Sequence, residues 1–230
     1  MADIKNLEKK IGVDFKNQDL LRQALVHRSY LNEHPRFRLD NNERLEFLGD
    51  AVLEIIVTEH LFFNFLEKKE GELTNYRASL VNTKMLASVA EELELENFLY
   101  LSKGESQDSN AKARKSILAN AVEAIVGSIY LDKGKEEAKK FIEVKILDKF
   151  DHILKNELYL DPKSRFQEKA QELEGVTPHY KVIKESGPDH DKIFQVGLYL
   201  GEELISTGEG SSKQEAQVEA AQKGIKNKEW

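Results

Sequence analysis

The sequence has no cysteine, no long apolar run and no excess of basic residues. Because none of its 230 residues is a cysteine, disulfide bonds and thiolate metal sites are excluded. No stretch approaches the roughly 18 consecutive apolar residues that a membrane span needs. The N-terminal MADIKNLEKKIG is polar and lacks the apolar core of a secretory signal peptide. We therefore expect a cytoplasmic protein with no membrane partner.

The charge balance argues weakly against a nucleic-acid partner. The formal net charge is −7, whereas proteins that bind nucleic acids usually carry a basic footprint. Binding depends on where the Lys and Arg residues lie, so the balance does not exclude such a partner. With 40% hydrophobic and 33% charged residues, the chain has the composition of an ordinary folded protein.

The hydrophobic spacing changes near residue 156. Before it, apolar residues recur every three to four positions, which predicts an all-helical first block. The periodic stretches are residues 20 to 31, 43 to 66, 73 to 93, 116 to 131 and 136 to 150. The segment SKGESQDSNAKARK, residues 102 to 115, lacks this spacing and is expected to be an exposed loop.

The second block combines helices with strands. Asp161-Pro162 predicts a helix start and Gly175 its end. HYKVIKES, KIFQVGLYL and LISTGEG read as strands, and KIFQVGLYL alternates apolar and polar positions as a half-buried strand does. A last helix follows Ser212. We therefore predict an all-α N-terminal domain (residues 1–155), a linker (156–160) and an α+β domain of order α-β-β-β-α (161–230).

Two nearly apolar helices each carry a pair of oxygen-bearing side chains. Glu46 and Asp50 lie four apart in NNERLEFLGDAVLEII, and Asn120 and Glu123 lie three apart in SILANAVEAIVGSIYL, so each pair shares a helix face. If the pairs meet, a hard cation such as Mg²⁺ would offset the repulsion between the acids. The alternative is that each acid reaches solvent on an exposed stripe, and the spacing alone favours that alternative.

Other catalytic chemistries find no support in the sequence. The six histidines are scattered, with no HExxH pair and no arrangement that suggests a nucleophilic triad. GEGSSK does not follow the order of a phosphate-binding P-loop, so no nucleotide cofactor is expected.

The motifs resemble the ribonuclease III family of double-stranded-RNA endonucleases. ERLEFLGDAVL, with HRSYLNE before it and EGELTNYRASLV and ILANAVEAIVGSIYLD after it, is similar to the nuclease domain of that family. DPKSRFQEKAQ through GSSKQEAQVEAA resembles the double-stranded-RNA-binding domain that follows it in bacterial members. The resemblance covers nearly the whole chain in the family's order.

The resemblance implies a divalent-metal site on the two paired helices. It assigns the metal to Glu46, Asn120 and Glu123, with Mg²⁺ as the ion and Mn²⁺ as a substitute, and it makes Asp50 and Glu123 catalytic. The family usually has Asp where this chain has Asn120. An amide oxygen can still coordinate a cation or orient its water, but it brings no negative charge.

The resemblance also implies a homodimer and a cleavage product. Glu43 matches a dimer-interface residue and Glu70 a secondary acid near the cleavage site. The family cuts structured precursors such as ribosomal RNA, leaving 5′ phosphates and 3′ hydroxyls with short 3′ overhangs. Because Asn120 departs from the family, the alternative function is a protein that binds duplex RNA with weakened or absent cleavage.

The RNA contacts implied for the second domain lie in three places. They are Gln167 and Gln171 on its first helix, His190 in the GPDHDK turn, and Ser211, Ser212 and Lys213 before the last helix. Without the resemblance, these would be solvated polar residues, a hairpin tip and a helix cap. Residues 161–230 carry ten Lys and Arg against thirteen Asp and Glu, a net charge of −3. Since phosphate contacts dominate affinity, we expect this domain alone to bind weakly.

Overall fold

The chain divides into two units, Met1–Tyr159 and Leu160–Trp230. The computed structural model describes residues 3–108, 110–188 and 192–230. The division falls inside the predicted linker, residues 156–160, and Tyr159 belongs to the first unit because its ring packs edge-on against Tyr76, with centroids 4.6 Å apart. In the described part of the chain, no helix is long and apolar enough to cross a membrane.

Helices build the first unit, as its hydrophobic spacing predicts. Two short 3-10 helices, Leu95–Asn97 and Leu147–Lys149, accompany the α-helices. The α-helices are α1 (Ile4–Ile11), α2 (Gln18–Ala24), α3 (Arg28–Glu33), α4 (Glu43–Asn64), α5 (Glu70–Val81), α6 (Thr83–Glu92), α7 (Lys103–Gln107), α8 (Ala111–Lys133), α9 (Lys135–Lys145) and α10 (Phe150–Lys155).

The expectation of an exposed loop over residues 102 to 115 is wrong in part, because α7 and the start of α8 lie there. Side-chain caps start both helices. The Ser102 hydroxyl accepts a hydrogen bond from the Glu105 amide at 3.1 Å, and the Asn110 side chain accepts from the amides of Lys112 and Ala113, both at 3.1 Å. A cap supplies partners for amides that the helix leaves unpaired, and it does so without any apolar periodicity.

Helices α4 and α8 form the centre of the first unit. Val52, Leu53 and Ile56 of α4 are buried, and so is nearly all of α8 from Ile117 to Ile129. A helix that is apolar all round is surrounded by other elements, and α8 packs against α2, α4, α6 and α9. The residues of the predicted site therefore lie on the two most central helices of the unit.

The second unit is a three-stranded antiparallel sheet packed against two helices, as predicted. The elements are α11 (Pro162–Glu174), β1 (His179–Ser186), β2 (Ile193–Leu200), β3 (Glu203–Gly210) and α12 (Lys213–Lys228), with sheet order β1-β2-β3. Asp161 caps the start of α11, and Gly175 ends it in the left-handed region at φ 67°. Phe166, Leu198 and Ala220 belong to the core between sheet and helices.

Candidate active site and binding surface

A pair of glycines lets α4 and α8 cross in backbone contact. A Cβ atom on Gly49 would lie 1.7 Å from the carbonyl oxygen of Glu123 and 2.8 Å from the Gly127 nitrogen. A Cβ on Gly127 would lie 2.3 Å from the carbonyl oxygen of Leu45. Only glycine fits at either position. Glu46 is three residues before Gly49 and Asp50 is one residue after it. The crossing therefore places both acids beside the turn of α8 that carries Glu123.

The two oxygen-bearing pairs meet at this crossing. Asp50 is exposed, whereas Glu46, Asn120 and Glu123 are half-buried. Each pair influences the other electrostatically. The carboxylates of α4 raise the pKa of Glu123, and the Asn120 amide opposes the rise in the pKa of Glu46. The arrangement is one shared cluster and not two separate solvated stripes.

Burial and repulsion disfavour the charged form of the cluster's acids. Burial, followed by the charges of Asp50 and Glu46, raises the pKa of Glu123 to about 7. Burial also raises the pKa of Glu46; the Asn120 side chain, a hydrogen-bond donor, opposes that rise, and Glu43 and Asp50 add to it. Among the described residues, no Lys or Arg contributes to either shift. Within the described ranges, neither of these two acids therefore shows a compensating cation from the protein.

The donor set suits a hard cation in an open site. In the described ranges, no three His, Asp or Glu side chains are gathered into a group that could hold a metal by themselves. Mg²⁺ does not need such a group, because it usually keeps several waters and takes one or two carboxylates together with substrate phosphate. Partly desolvated carboxylates and an amide, all offering oxygen, fit an ion of that kind.

The structure places Glu70 and Glu43 at helix starts, outside the crossing. Glu70 is the exposed first residue of α5, and its carboxylate accepts a hydrogen bond from the Thr74 hydroxyl at 3.3 Å. Glu43 is the exposed first residue of α4 and lies 3.6 Å from the Arg28 guanidinium. Glu43 still contributes to the cluster, because its charge raises the pKa of Glu46.

An exposed apolar stripe runs along α4 beside the cluster. Phe47, Ile55 and Phe62 are 82%, 49% and 61% exposed, and their spacing of eight and seven residues keeps them on one side of the helix. We call these three residues the α4 stripe. Glu43 lies one turn before Phe47 on that side. An exposed apolar surface on one side of a helix is a candidate interaction site.

The predicted RNA-contacting residues of α11 are exposed on one side of that helix. Gln167 and Gln171 are one turn apart and both face solvent. The Gln171 amide donates to the Thr177 hydroxyl at 3.4 Å. His190, the contact predicted in the GPDHDK turn, lies outside the described residues.

Acidic side chains already occupy the start of α12. Ser212 caps the helix by accepting from the Glu215 amide at 3.1 Å, and the Ser211 amide donates to the Glu215 carboxylate at 3.1 Å. Lys213 is exposed, and its ammonium lies 3.4 Å from the Glu185 carboxylate. Ser211, Ser212 and Lys213 thus lie together, and each of these three has an intramolecular partner.

Gly49, Gly127 and Glu185 are not among the residues predicted from the sequence. Isolated glycines inside strongly helical patterns such as EFLGDA and AIVGSI are a signal of close helix packing, and they could have identified the crossing. Glu185 gave no local signal, because its pairing with Lys213 joins residues on β1 and α12 that are brought together only by the sheet.

Comparisons with known proteins agree for both units. Residues 17–150 match a family model described as Ribonuclease-III-like, and residues 162–228 match the double-stranded RNA binding motif. The ribonuclease 3 of Borreliella afzelii is 44% identical over 226 residues, which are 98% of this chain and 91% of that protein. The ribonuclease 3 of Enterococcus faecalis is 43% identical over 222 residues, 96% of this chain and 95% of its own.

Solved structures resemble the first unit. The nuclease domain of ribonuclease III from Campylobacter jejuni is 42% identical with a TM-score of 0.58, and the match covers 65% of this chain and 97% of that domain. A second structure of the same domain, also 42% identical with a TM-score of 0.55, covers 62% of this chain and 98% of that one. That second structure is described as showing flexibility in a region involved in dimer formation.

Proposed function

Because this chain belongs to the ribonuclease III family and is an RNA endonuclease with a double-stranded-RNA-binding domain, we propose that it cuts structured precursors such as ribosomal RNA in a divalent-metal-dependent reaction. The products would be 5′-phosphate and 3′-hydroxyl ends with short 3′ overhangs. The observation that carries the proposal is the crossing at Gly49 and Gly127, which unites the oxygen pairs of two helices.

The proposed active site uses residues of both crossing helices. Glu46, Asn120 and Glu123 would hold Mg²⁺, or Mn²⁺ in its place, and Asp50 and Glu123 act on the reacting groups. When bound, the metal lowers the pKa of water and stabilises the attacking and leaving oxygens. The half-buried carboxylates supply the negative charge that retains the ion. The amide oxygen of Asn120 supplies a neutral ligand, and exposed Asp50 lies where a phosphate can approach from solvent.

The reaction itself is a hydrolysis with simple atom balance. The oxygen of one water bonds to phosphorus and the water loses a proton, while the bond between phosphorus and the 3′ oxygen breaks. The 3′ oxygen leaves with the electron pair and gains one proton, so the number of protons balances. Glu70, exposed at the start of α5, is proposed as a secondary acid near the cleavage site.

We propose that the α4 stripe forms the interface of a homodimer. Exposed Phe47, Ile55 and Phe62 would be covered by the same surface of a second copy, as a twofold interface requires. Glu43, one turn before Phe47, would lie at the edge of that interface. Because the stripe and the acids share α4, dimerisation would present two active sites to one duplex and would account for staggered cuts.

The second unit is proposed to recognise the shape of the duplex. A-form RNA exposes 2′-hydroxyls in its minor groove, and the exposed amides of Gln167 and Gln171 can donate to and accept from them. His190 is proposed to contact a second minor groove. Ser211, Ser212 and Lys213 would contact phosphate at the start of α12, where backbone amides point outward.

A cleavage assay on long duplex RNA tests the proposal. With Mg²⁺ we expect short products with 3′ overhangs, and with EDTA intact RNA. Glu123→Gln should abolish cleavage and leave binding unchanged, whereas Glu136→Gln, which removes an exposed acid from the first turn of α9, should cut normally. Full cleavage by the Glu123→Gln variant would show that Glu123 is not part of the active site.

Asn120 supports a second candidate function, a protein that holds duplex RNA without cutting it. The amide leaves the site one negative charge short of the family pattern, and this weakens the attraction for a cation. In that case the parent protein would bind but not cleave, and Asn120→Asp would restore cleavage. Cleavage by the parent at ordinary Mg²⁺ concentration excludes this candidate.

A further inference from the structure

Lys213, the predicted phosphate contact of α12, is held by the protein itself. Its ammonium lies 3.4 Å from one oxygen of the Glu185 carboxylate and 5.6 Å from the centre of the Phe194 ring. Glu185 is opposite Phe194 in the register of β1 and β2. The ammonium therefore lies over the end of the sheet, between a carboxylate and an aromatic face, and both attract a cation to that position.

Glu185 faces two lysines at once. Its other carboxylate oxygen lies 3.9 Å from the Lys192 ammonium. One acid is thus shared between the lysine that begins α12 and the lysine that precedes β2. All three side chains are between 39% and 58% exposed, so solvent screens the pairs and each is readily exchanged for another anion.

This acid lies at the end of the sheet where RNA is proposed to bind. Strand β2 begins there, and in the register Phe194 is opposite both Glu185 and Gly210, which precedes α12 by three residues. The unit carries a net charge of −3, so each lysine at this end matters for attraction to phosphate. A phosphate that approaches Lys213 competes with the Glu185 carboxylate for the ammonium.

We propose that Glu185 competes with RNA phosphate for Lys213 and Lys192, and so sets the affinity and the salt dependence of RNA binding. The inference rests on the proposed contact between Lys213 and phosphate. Removal of the carboxylate makes the Lys213 ammonium available to the RNA backbone and takes one partner away from Lys192. Each lysine that gains a phosphate releases counterions from the RNA, which makes binding tighter and more sensitive to salt.

The test uses the full chain in EDTA, so that RNA is bound and not cut. Affinity for a short blunt duplex is measured at several salt concentrations for the parent, Glu185→Gln, Lys213→Gln and the double variant. Glu202→Gln is the matched control, because it removes the same charge from the exposed turn between β2 and β3 at the opposite end of the sheet. That end lies about 20 Å away along the strands, beyond the screening length at ~0.1 M salt.

We expect Glu185→Gln to bind about 3- to 10-fold tighter than the Glu202→Gln control at ~0.1 M salt. The slope of log affinity against log salt should steepen by about one for each lysine that gains a phosphate. At least half of the gain should vanish in the Lys213→Gln background, since Lys213 makes the closer of the two pairs.

Two results would overturn the inference, and they differ in meaning. If Lys213→Gln weakens binding but Glu185→Gln matches the Glu202→Gln control, the competition does not occur although the phosphate contact does. If Lys213→Gln leaves binding unchanged, the proposed contact fails and the inference fails with it. Neither result depends on cleavage, so the proposed nuclease reaction is judged separately.

Discussion

Gly49→Ala tests whether the helix crossing creates the active site. The added methyl group would lie 1.7 Å from the carbonyl oxygen of Glu123 and 2.6 Å from its carbonyl carbon. Both obstructing atoms are backbone, so no side chain can rotate to make room. Helices α4 and α8 must therefore move apart at the level of the acids.

The size of the effect follows from that distance. Real Cβ atoms essentially never approach another heavy atom within 3.0 Å, so the helices must separate by at least about 1.3 Å, and overpacking of this kind typically costs about 1–3 kcal/mol. Alanine recovers up to about 1 kcal/mol of helix propensity, which leaves a net loss of about 0–2 kcal/mol in unfolding free energy. A displacement of about 1 Å in a catalytic group can cost ~10²-fold in rate.

Denaturant unfolding and duplex-RNA cleavage measure the two parts of this prediction. Gly71→Ala is the matched control, because it adds the same methyl group inside α5, where a Cβ meets no atom within 4 Å. The control should be as stable as the parent, or more so, and fully active. If Gly49→Ala matched the control in both stability and cleavage, the crossing could not be what positions the acids.

Three further predictions test other parts of the molecule. The pKa of Glu123 is raised from 4.5 to about 7. Its neutral form therefore contributes fully to the unfolding free energy below pH 4.5, and this contribution to stability is lost as the pH rises through 7. Glu123→Gln in metal-free buffer should therefore exceed the parent in unfolding free energy at pH 8 by on the order of 1 kcal/mol after solvent screening, and the difference should shrink at pH 5. Phe47→Asp should sediment as a monomer, whereas the same change at Val144, a 64% exposed apolar residue of α9, should not. Ser206→Ala removes a buried hydroxyl that donates to the Ala220 carbonyl at 2.6 Å, and unfolding of the second unit should require about 1 kcal/mol less.

Elements that follow from local chemistry could be predicted from the sequence. The strands of the second unit were predicted because alternate residues such as Val196 and Leu198 are buried on one face of the sheet. The helix start at Asp161 and its end at Gly175 were predicted from capping preferences, which depend on a few neighbouring residues. In each case, the signal and the structure it specifies lie within one short segment.

Features that depend on distant segments could not be predicted in the same way. The helical pattern of residues 20 to 31 is interrupted between α2 and α3, because Val26 forms a bridge with Tyr100. The Tyr100 amide donates to the Leu25 carbonyl at 2.9 Å, and the His27 amide donates to the Tyr100 carbonyl at 3.1 Å. Nothing in the residues around Val26 identifies that partner. Periodicity alone therefore cannot locate the break.

The candidate site combines both situations. Helical spacing placed Glu46 with Asp50 and Asn120 with Glu123, since residues three or four apart share a helix face. Whether the two faces meet depends on a backbone contact between α4 and α8, and that contact exists because Gly49 and Gly127 both lack a Cβ atom. The residues proposed to carry the chemistry are therefore different from the glycines that bring them together, and glycines have no side chain that would suggest a catalytic role.

The same electrostatic cost that disfavours the charged cluster in the protein alone makes it suited to a cation. Burial and mutual repulsion raise the pKa of Glu123 and Glu46. Their ionised forms therefore reduce the stability of the folded protein. A carboxylate at position 120 would add to the repulsion and reduce stability further. Asn120 limits the repulsion, because its amide opposes the rise in the pKa of Glu46. Asn120→Asp should therefore destabilise the metal-free protein and tighten its hold on Mg²⁺, two opposite consequences of one added charge.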